Sequence, residues 1–233
     1  MRRLIHPHRF TSNTTSAHDA APLHVSGTAD FIDDLNPAAN LLHLYVGGAS
    51  QIGEIQSIDL DAVRQSPGVV AVFTAKDIPG HKDIGPVFPG DVLLAESSID
   101  YVGQPVFLVA ANQRDDARRA ARKADIKIQP CQNITLTPTE RVVRPAHTQT
   151  LGDVGTALDH APHQLRGQLE IGGQEHFYLE GQAAQAQLDE DGRFFVQSSS
   201  QHPSEVQKLI AEVLDLPMAD VVVQTRRMGG GFG

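Results

Sequence analysis

Val106-Phe107-Leu108-Val109-Ala110-Ala111-Asn112-Gln113-Arg114-Asp115-Asp116-Ala117-Arg118-Arg119-Ala120-Ala121-Arg122-Lys123-Ala124-Asp125-Ile126-Lys127-Ile128-Gln129 changes its hydrophobic period twice. Val106 to Ala110 is a continuous apolar run of strand length. The helix after it has Asn112 as its expected cap and Asp115 and Asp116 in its first turn. Arg118, Arg119, Arg122 and Lys123 lie toward its C-terminal end, the charge order that the helix dipole favours. Ala117, Ala120, Ala121 and Ala124 recur at helical spacing, so one face is a flat stripe of small residues suited to close packing on a sheet. Asp125 to Gln129 then returns as a strand. Strand, helix and strand in this order predict an α/β unit.

Upstream, Leu41 to Val46 and Glu54 to Leu60 read as strands and Asp61 to Gln65 as a short helix. Ser66-Pro67-Gly68 reads as the turn before a strand at Val69 to Phe73. Residues 1–20 lack periodicity and are expected to form an arm. Downstream, Pro138 and Pro145 mark an extended linker over residues 131–150. A second unit begins near residue 151. In it Gln164 to Ile171 reads as a strand, and Ala183 to Leu188 pairs with Arg193 to Ser198 through the turn Asp189-Glu190-Asp191-Gly192. Ser204 with Gln207 reads as a capping box for a helix whose apolar stripe is Val206, Leu209, Ile210, Val213 and Leu214, stopped by Pro217. A buried strand, Val221 to Thr225, leads into Arg226-Arg227-Met228-Gly229-Gly230-Gly231-Phe232-Gly233.

The 233 residues suffice for one large or two small domains, and 40% hydrophobic with 20% charged residues is an ordinary globular composition. A net charge of −9 offers no basic stripe for nucleic acid or an anionic membrane. Cys131 is the only cysteine, so the chain holds neither an internal disulfide nor an iron–sulfur cluster by itself. No stretch is apolar and long enough to span a bilayer, and the N-terminus lacks an apolar signal core; the expected compartment is the cytoplasm.

Two stretches carry candidate chemistry. In the terminal glycine cluster, consecutive N–H groups form an anion-binding concavity beside Arg226 and Arg227, or the cluster is a plain flexible tail. It lacks the Gly-Lys-Ser/Thr of a phosphate loop. In Gly172-Gly173-Gln174-Glu175-His176-Phe177-Tyr178-Leu179-Glu180, Glu175 and His176 read as a local hydrogen-bonded pair or as an acid–base pair. Gln174 supplies an amide suited to orienting an oxo or carbonyl group. Ser198, Ser199 and Ser200 sit in no Gly-x-Ser-x-Gly elbow. Gln201 and His202 are expected to share a pocket with the glycine turn.

Three of these segments in order, Gly172 to Glu180, Ser198-Ser199-Ser200-Gln201 and Arg227 to Gly233, closely resemble cofactor-contacting segments of the xanthine dehydrogenase family of molybdenum hydroxylases. His24-Val25-Ser26-Gly27-Thr28-Ala29 with Asp33-Asp34, Ser66 to Gly80, and Tyr101-Val102-Gly103-Gln104-Pro105 look like that family's hammerhead domain. The resemblance runs from about residue 18 to the end of the sequence. It is strongest to the split form, in which the molybdenum-binding subunit is a separate chain.

The resemblance implies a mixed α+β / α/β fold: an α/β-hammerhead domain over residues 21–130, then the incomplete start of a molybdopterin-binding domain over residues 151–233. It implies hydroxylation of hypoxanthine and xanthine to urate at a molybdenum-molybdopterin centre. Electrons would pass through 2Fe-2S clusters and FAD on a partner chain to NAD. By motif position Gln174 faces the metal's oxygen ligand, and the backbone at Phe232 and Gly233 contacts the molybdenum or pterin end, with Gly231 in the same cofactor-binding turn. Gln174 and Phe232 thereby form the molybdenum environment.

Where the family's turn continues through Gly-Lys-Glu to a substrate-contacting glutamate, and later supplies a glutamate base, these 233 residues carry neither. The substrate-stacking phenylalanines and substrate-binding arginine are missing too. No catalytic residue is therefore expected within this chain, which by itself is expected to be an inactive, aggregation-prone N-terminal portion. Gly181 stands where the family usually has threonine. An aldehyde oxidase-like hydroxylase and a non-catalytic module docking on the iron–sulfur and flavin partner are the alternatives.

Overall fold

The computed structural model describes residues 18–35, 41–131, 142 and 144–232. Its elements in chain order begin with α1 (Ala21–Ser26), β1 (His43–Gly48), β2 (Gly53–Asp59), α2 (Asp61–Arg64) and β3 (Val69–Thr74). Next come β4 (Ser98–Ile99), β5 (Pro105–Ala111), α3 (Arg114–Ala121), β6 (Asp125–Pro130) and α4 (Val154–Asp159). The last are β7 (Ala184–Leu188), β8 (Phe194–Ser198), α5 (Pro203–Leu214) and β9 (Val221–Gln224). The chain divides into two compact units, one holding His43–Ala75 and Leu93–Phe177, the other holding the described residues up to Leu42, Lys76–Val92, and Tyr178 onward. No described helix is long and apolar enough to cross a membrane.

The first unit is built on two antiparallel sheets, ordered β1-β5-β3 and β4-β2-β6. β5 is central because it is apolar on both faces: Val106, Phe107, Val109, Ala110 and Ala111 are all buried. α3 lays Ala117 and Ala120 on this sheet, and the missing side-chain bulk lets the helix approach β1 and β5 closely. Leu60, Val63, Ile99 and Ile128 complete the core. Phe107 is the largest fully buried side chain, and removing it would cost about 3–5 kcal/mol.

The second unit holds a sheet ordered β7-β8-β9, in which β8 pairs antiparallel with β7 and parallel with β9. The crossover between the parallel strands is α5. Gln207 Nε2 on that helix donates to the carbonyls of Met218 at 3.1 Å and Val221 at 2.7 Å, tying α5 to the start of β9. The β7–β8 turn is held by the Asp189 carboxylate, which accepts from the backbone N–H groups of Asp191 and Arg193 and from Arg193 Nε, each at 2.9 Å. Segment Lys76–Val92 brings the N–H groups of Gly80 and His81 to the carbonyls of Val213 and Glu212 at 3.0 and 2.8 Å, satisfying orphan acceptors at the C-terminal end of α5.

Four expectations are corrected. The strand expected from Leu41 begins at His43 and runs to Gly48, in register with β5. Asn112 does not cap α3: its N–H donates to the Gly68 carbonyl, and Gln113 takes the cap position with no side-chain bond. Ser204 and Gln207 form no capping box. Pro203 occupies the first helical position, where a missing N–H is harmless, so the cap moves to His202, whose Nδ1 accepts from Glu205 N–H at 3.1 Å. Gln164 to Ile171 is not a strand. Its alternation is intact, but among the described residues no ladder includes it, and an unpaired strand leaves its backbone groups to water.

The linker expected at 131–150 lies partly, and the arm expected at 1–20 mostly, outside the described residues.

Candidate functional site

Because β8 and β9 run parallel, the segments that follow them leave from the same end of the sheet, the end where binding sites form in sheets with parallel strands. After β8 come Ser199, Ser200, Gln201 and His202; after β9 come Thr225 to Phe232. Of these, Ser199 to His202, Arg227 to Gly230 and Phe232 share the walls of a cleft of about 290 Å³ with Tyr178, Glu180, Gln182 and Glu205. The structure thus brings Gln201 and His202 into one concavity with the glycine turn, as their positions at the ends of neighbouring elements suggested, and Ser199 and Ser200 with them.

The cleft walls are locked by short-range contacts. Ser199 Oγ accepts from Ala183 N–H at 2.9 Å and lies 2.9 Å from the Gly181 carbonyl, fastening the approach to β7 onto the end of β8. Gly229 passes directly over the Leu179 carbonyl, and any Cβ there would collide with it. A Cβ on Gly231 would lie 2.5 Å from Gln201 Oε1. The Tyr178 and Phe232 rings meet at 6.2 Å between centroids, inclined by 38°. Glu180 Oε2 accepts from the backbone N–H of Ile32 at 2.8 Å, so a residue 148 positions earlier in sequence buttresses one wall.

His202 Nδ1 is occupied as an acceptor at the helix cap, which leaves the proton of the neutral ring on Nε2. Arg227 Nη1 donates to the Arg226 carbonyl at 3.3 Å, but its Nε is buried with no partner, as is Thr225 Oγ1. An orphaned guanidinium donor beside serine hydroxyls, an amide and a run of glycine N–H groups is a donor-rich set. It fits a ligand that is anionic and rich in acceptors, as a phosphate-bearing pterin is. Among the described residues no group of three His, Cys, Asp or Glu side chains is arranged to hold a metal ion.

Phe232 lines the cleft, and Gly231 sits against Gln201. Gly233 lies outside the described residues. Gln174 belongs to the first unit and is exposed in a segment without regular structure. Glu175 Oε1 accepts from Phe177 N–H at 3.4 Å. The roles of His202 as helix cap and of Glu180 as anchor for Ile32 were not legible in advance. Pro203 was the available signal for the first; no local pattern announces the second.

The chain matches the family model of the aldehyde oxidase and xanthine dehydrogenase a/b hammerhead domain over residues 26–132. It matches that of the molybdopterin cofactor-binding domain over residues 136–233. It is 34% identical over 229 residues to xanthine dehydrogenase 1 of Arabidopsis thaliana, covering 94% of this chain and 17% of that protein. To xanthine dehydrogenase of Calliphora vicina it is 35% identical over 225 residues, covering 93% and 17%. Among solved structures, the aldehyde oxidoreductase from Desulfovibrio gigas superposes with a TM-score of 0.73 at 26% identity, over 92% of this chain and 26% of that one. The chain thus spans about one-sixth of the length of these curated relatives. With a hammerhead domain followed by a molybdopterin cofactor-binding domain, it belongs to the aldehyde oxidase and xanthine dehydrogenase family of molybdenum hydroxylases.

Proposed function

We propose that this chain is a portion of a xanthine dehydrogenase that converts hypoxanthine and xanthine to urate. The observation that carries the reading is the cleft at the carboxyl ends of β8 and β9, with its glycine turn and the unpartnered Nε of Arg227. Molybdopterin bound there would supply the molybdenum that performs hydroxylation and takes up the substrate's two electrons. The chain's own residues bind and orient. Ser200, Gln201 and Arg227 offer donors to the cofactor's polar edge. Backbone at Gly231, Phe232 and Gly233 approaches its metal end, and the Gln174 amide orients the molybdenum side. No residue of the chain is assigned a proton-transfer role.

The working domains are the hammerhead at 21–130 and the start of the cofactor-binding domain at 151–233, joined by a linker at 131–150 behind an arm at 1–20. The single cysteine of these 233 residues holds no 2Fe-2S cluster by itself, and we assign the clusters and FAD to a partner subunit that passes electrons to NAD, in the cytoplasm. A second reading, aldehyde hydroxylation, is favoured by the structural likeness to the Desulfovibrio aldehyde oxidoreductase. Steady-state turnover of the complete protein on xanthine and on an aromatic aldehyde separates the two. Preferred turnover of xanthine is expected; preferred turnover of the aldehyde would replace the first reading by the second.

A further inference from the structure

The segment Gln164-Leu165-Arg166-Gly167-Gln168-Leu169-Glu170-Ile171 alternates polar and apolar residues with period two. Leu165, Leu169 and Ile171 share one face, and Gln164, Arg166, Gln168 and Glu170 share the other. This is the pattern of a strand with one face on a core and one in water. Yet Leu165 is 99% exposed, Leu169 81% and Ile171 73%. Three large aliphatic side chains on one face, with no ladder among the described residues to hold their backbone, leave both the apolar face and the main-chain donors without an internal use.

We infer that residues 164–171, irregular in this structure, become a strand by pairing with a sheet edge on the remainder of the molybdopterin-binding domain, outside these 233 residues. That occupant is favoured over a second copy by the relatives: the matched region is 17% of the curated proteins and 26% of the Desulfovibrio structure, so most of their mass lies outside it. Main-chain hydrogen bonds would supply the affinity and the three aliphatic side chains the register, since a slip of one residue would turn all three to solvent. The pairing would also hold the chain immediately before Gly172-Gly173-Gln174. It would thereby fix where Gln174 starts from. The inference rests on the reading that the chain works within a family-length protein, but it does not require molybdenum.

Hydrogen exchange followed by mass spectrometry tests it on peptides covering 164–171, in the 233-residue chain and in the complete protein, each grown with and without molybdate. The expected result is exchange slowed at least about a hundredfold in the complete protein, with or without molybdate, and near-unprotected exchange in the 233-residue chain at every concentration. Leu169→Asp should abolish the protection in the complete protein, and Glu170→Lys, on the opposite face, should leave it. Equal, fast exchange in both proteins would overturn the inference. So would protection already present in dilute 233-residue chain, which means pairing within it, or protection that grows with its concentration, which means a second copy. Protection that persists while the complete protein grown with molybdate proves free of molybdenum would sink the cofactor reading and leave this one standing.

Discussion

Two strand–helix–strand stretches of this chain share a pattern and differ in what they build. β5-α3-β6 and β8-α5-β9 each run from a strand through an amphipathic helix into a second strand. In the first, β5 and β6 belong to different sheets, and the helix packs its alanine stripe on β5 and β1. In the second, β8 and β9 lie side by side and parallel, so the segments leaving them converge. The first stretch makes a core in which five residues of β5 are buried; the second buries Val196, Ala211 and Val221 and makes a cleft. Periodicity reports which face of an element is covered, but not which strand becomes its neighbour. That choice decides whether the product is packing or a site.

The largest effect should come from the packed stretch. Phe107→Ala removes the biggest buried side chain of β5 and is expected to lower stability by about 3–5 kcal/mol, read from urea unfolding. An effect below about 1 kcal/mol would mean that the two stretches are equally loosely packed. In the converging stretch, Gln207→Ala deletes the two bonds that tie α5 to β9 and should cost about 1–2 kcal/mol. Gly229→Ala places a methyl group against the Leu179 carbonyl, so one wall of the cleft must shift. Molybdenum retained by the complete protein should then fall roughly tenfold, the effect of about 1.4 kcal/mol, with little change in unfolding of the β5 core.

The smallest effect concerns the turn that enters β8. The Asp189 carboxyl is held below its ordinary value chiefly by the Arg193 backbone N–H, and further by the Arg193 side chain and Asp191 N–H. A depressed folded pKa means that the turn's contribution is present above the unfolded value, near pH 4, and is lost as pH falls through the folded one. Amide protection at Arg193 should therefore drop in acid while that of β5 holds. Asp189→Asn should remove this pH dependence; an unchanged profile would show that the carboxylate does not hold the turn.

Much of this was legible in the residues. The Val106 to Gln129 pattern located β5, α3 and β6 because each period spans a whole element, and Asp189 to Gly192 marked its hairpin because the turn chemistry is local. Helix caps were misplaced where a neighbour competed: Asn112 was drawn into a bond with Gly68, and Pro203 moved the cap to His202. The strand expected at Gln164 to Ile171 has the right alternation, but pairing depends on an edge that the pattern itself does not contain. In the cleft, the glycine turn and the Ser199 to His202 run were recognisable as motifs, whereas the tie from Glu180 to Ile32 spans 148 positions and leaves no trace in either segment.

Molybdenum analysis of the complete protein beside its Gly229→Ala variant and the 233-residue chain tests the central claim, that the segments following β8 and β9 form a molybdopterin cleft completed outside this chain. The account predicts near-stoichiometric molybdenum in the complete protein, a marked loss in the variant, and none retained by the 233 residues alone. Stoichiometric metal in the variant, or stoichiometric metal with hydroxylase activity in the 233-residue chain, would contradict it.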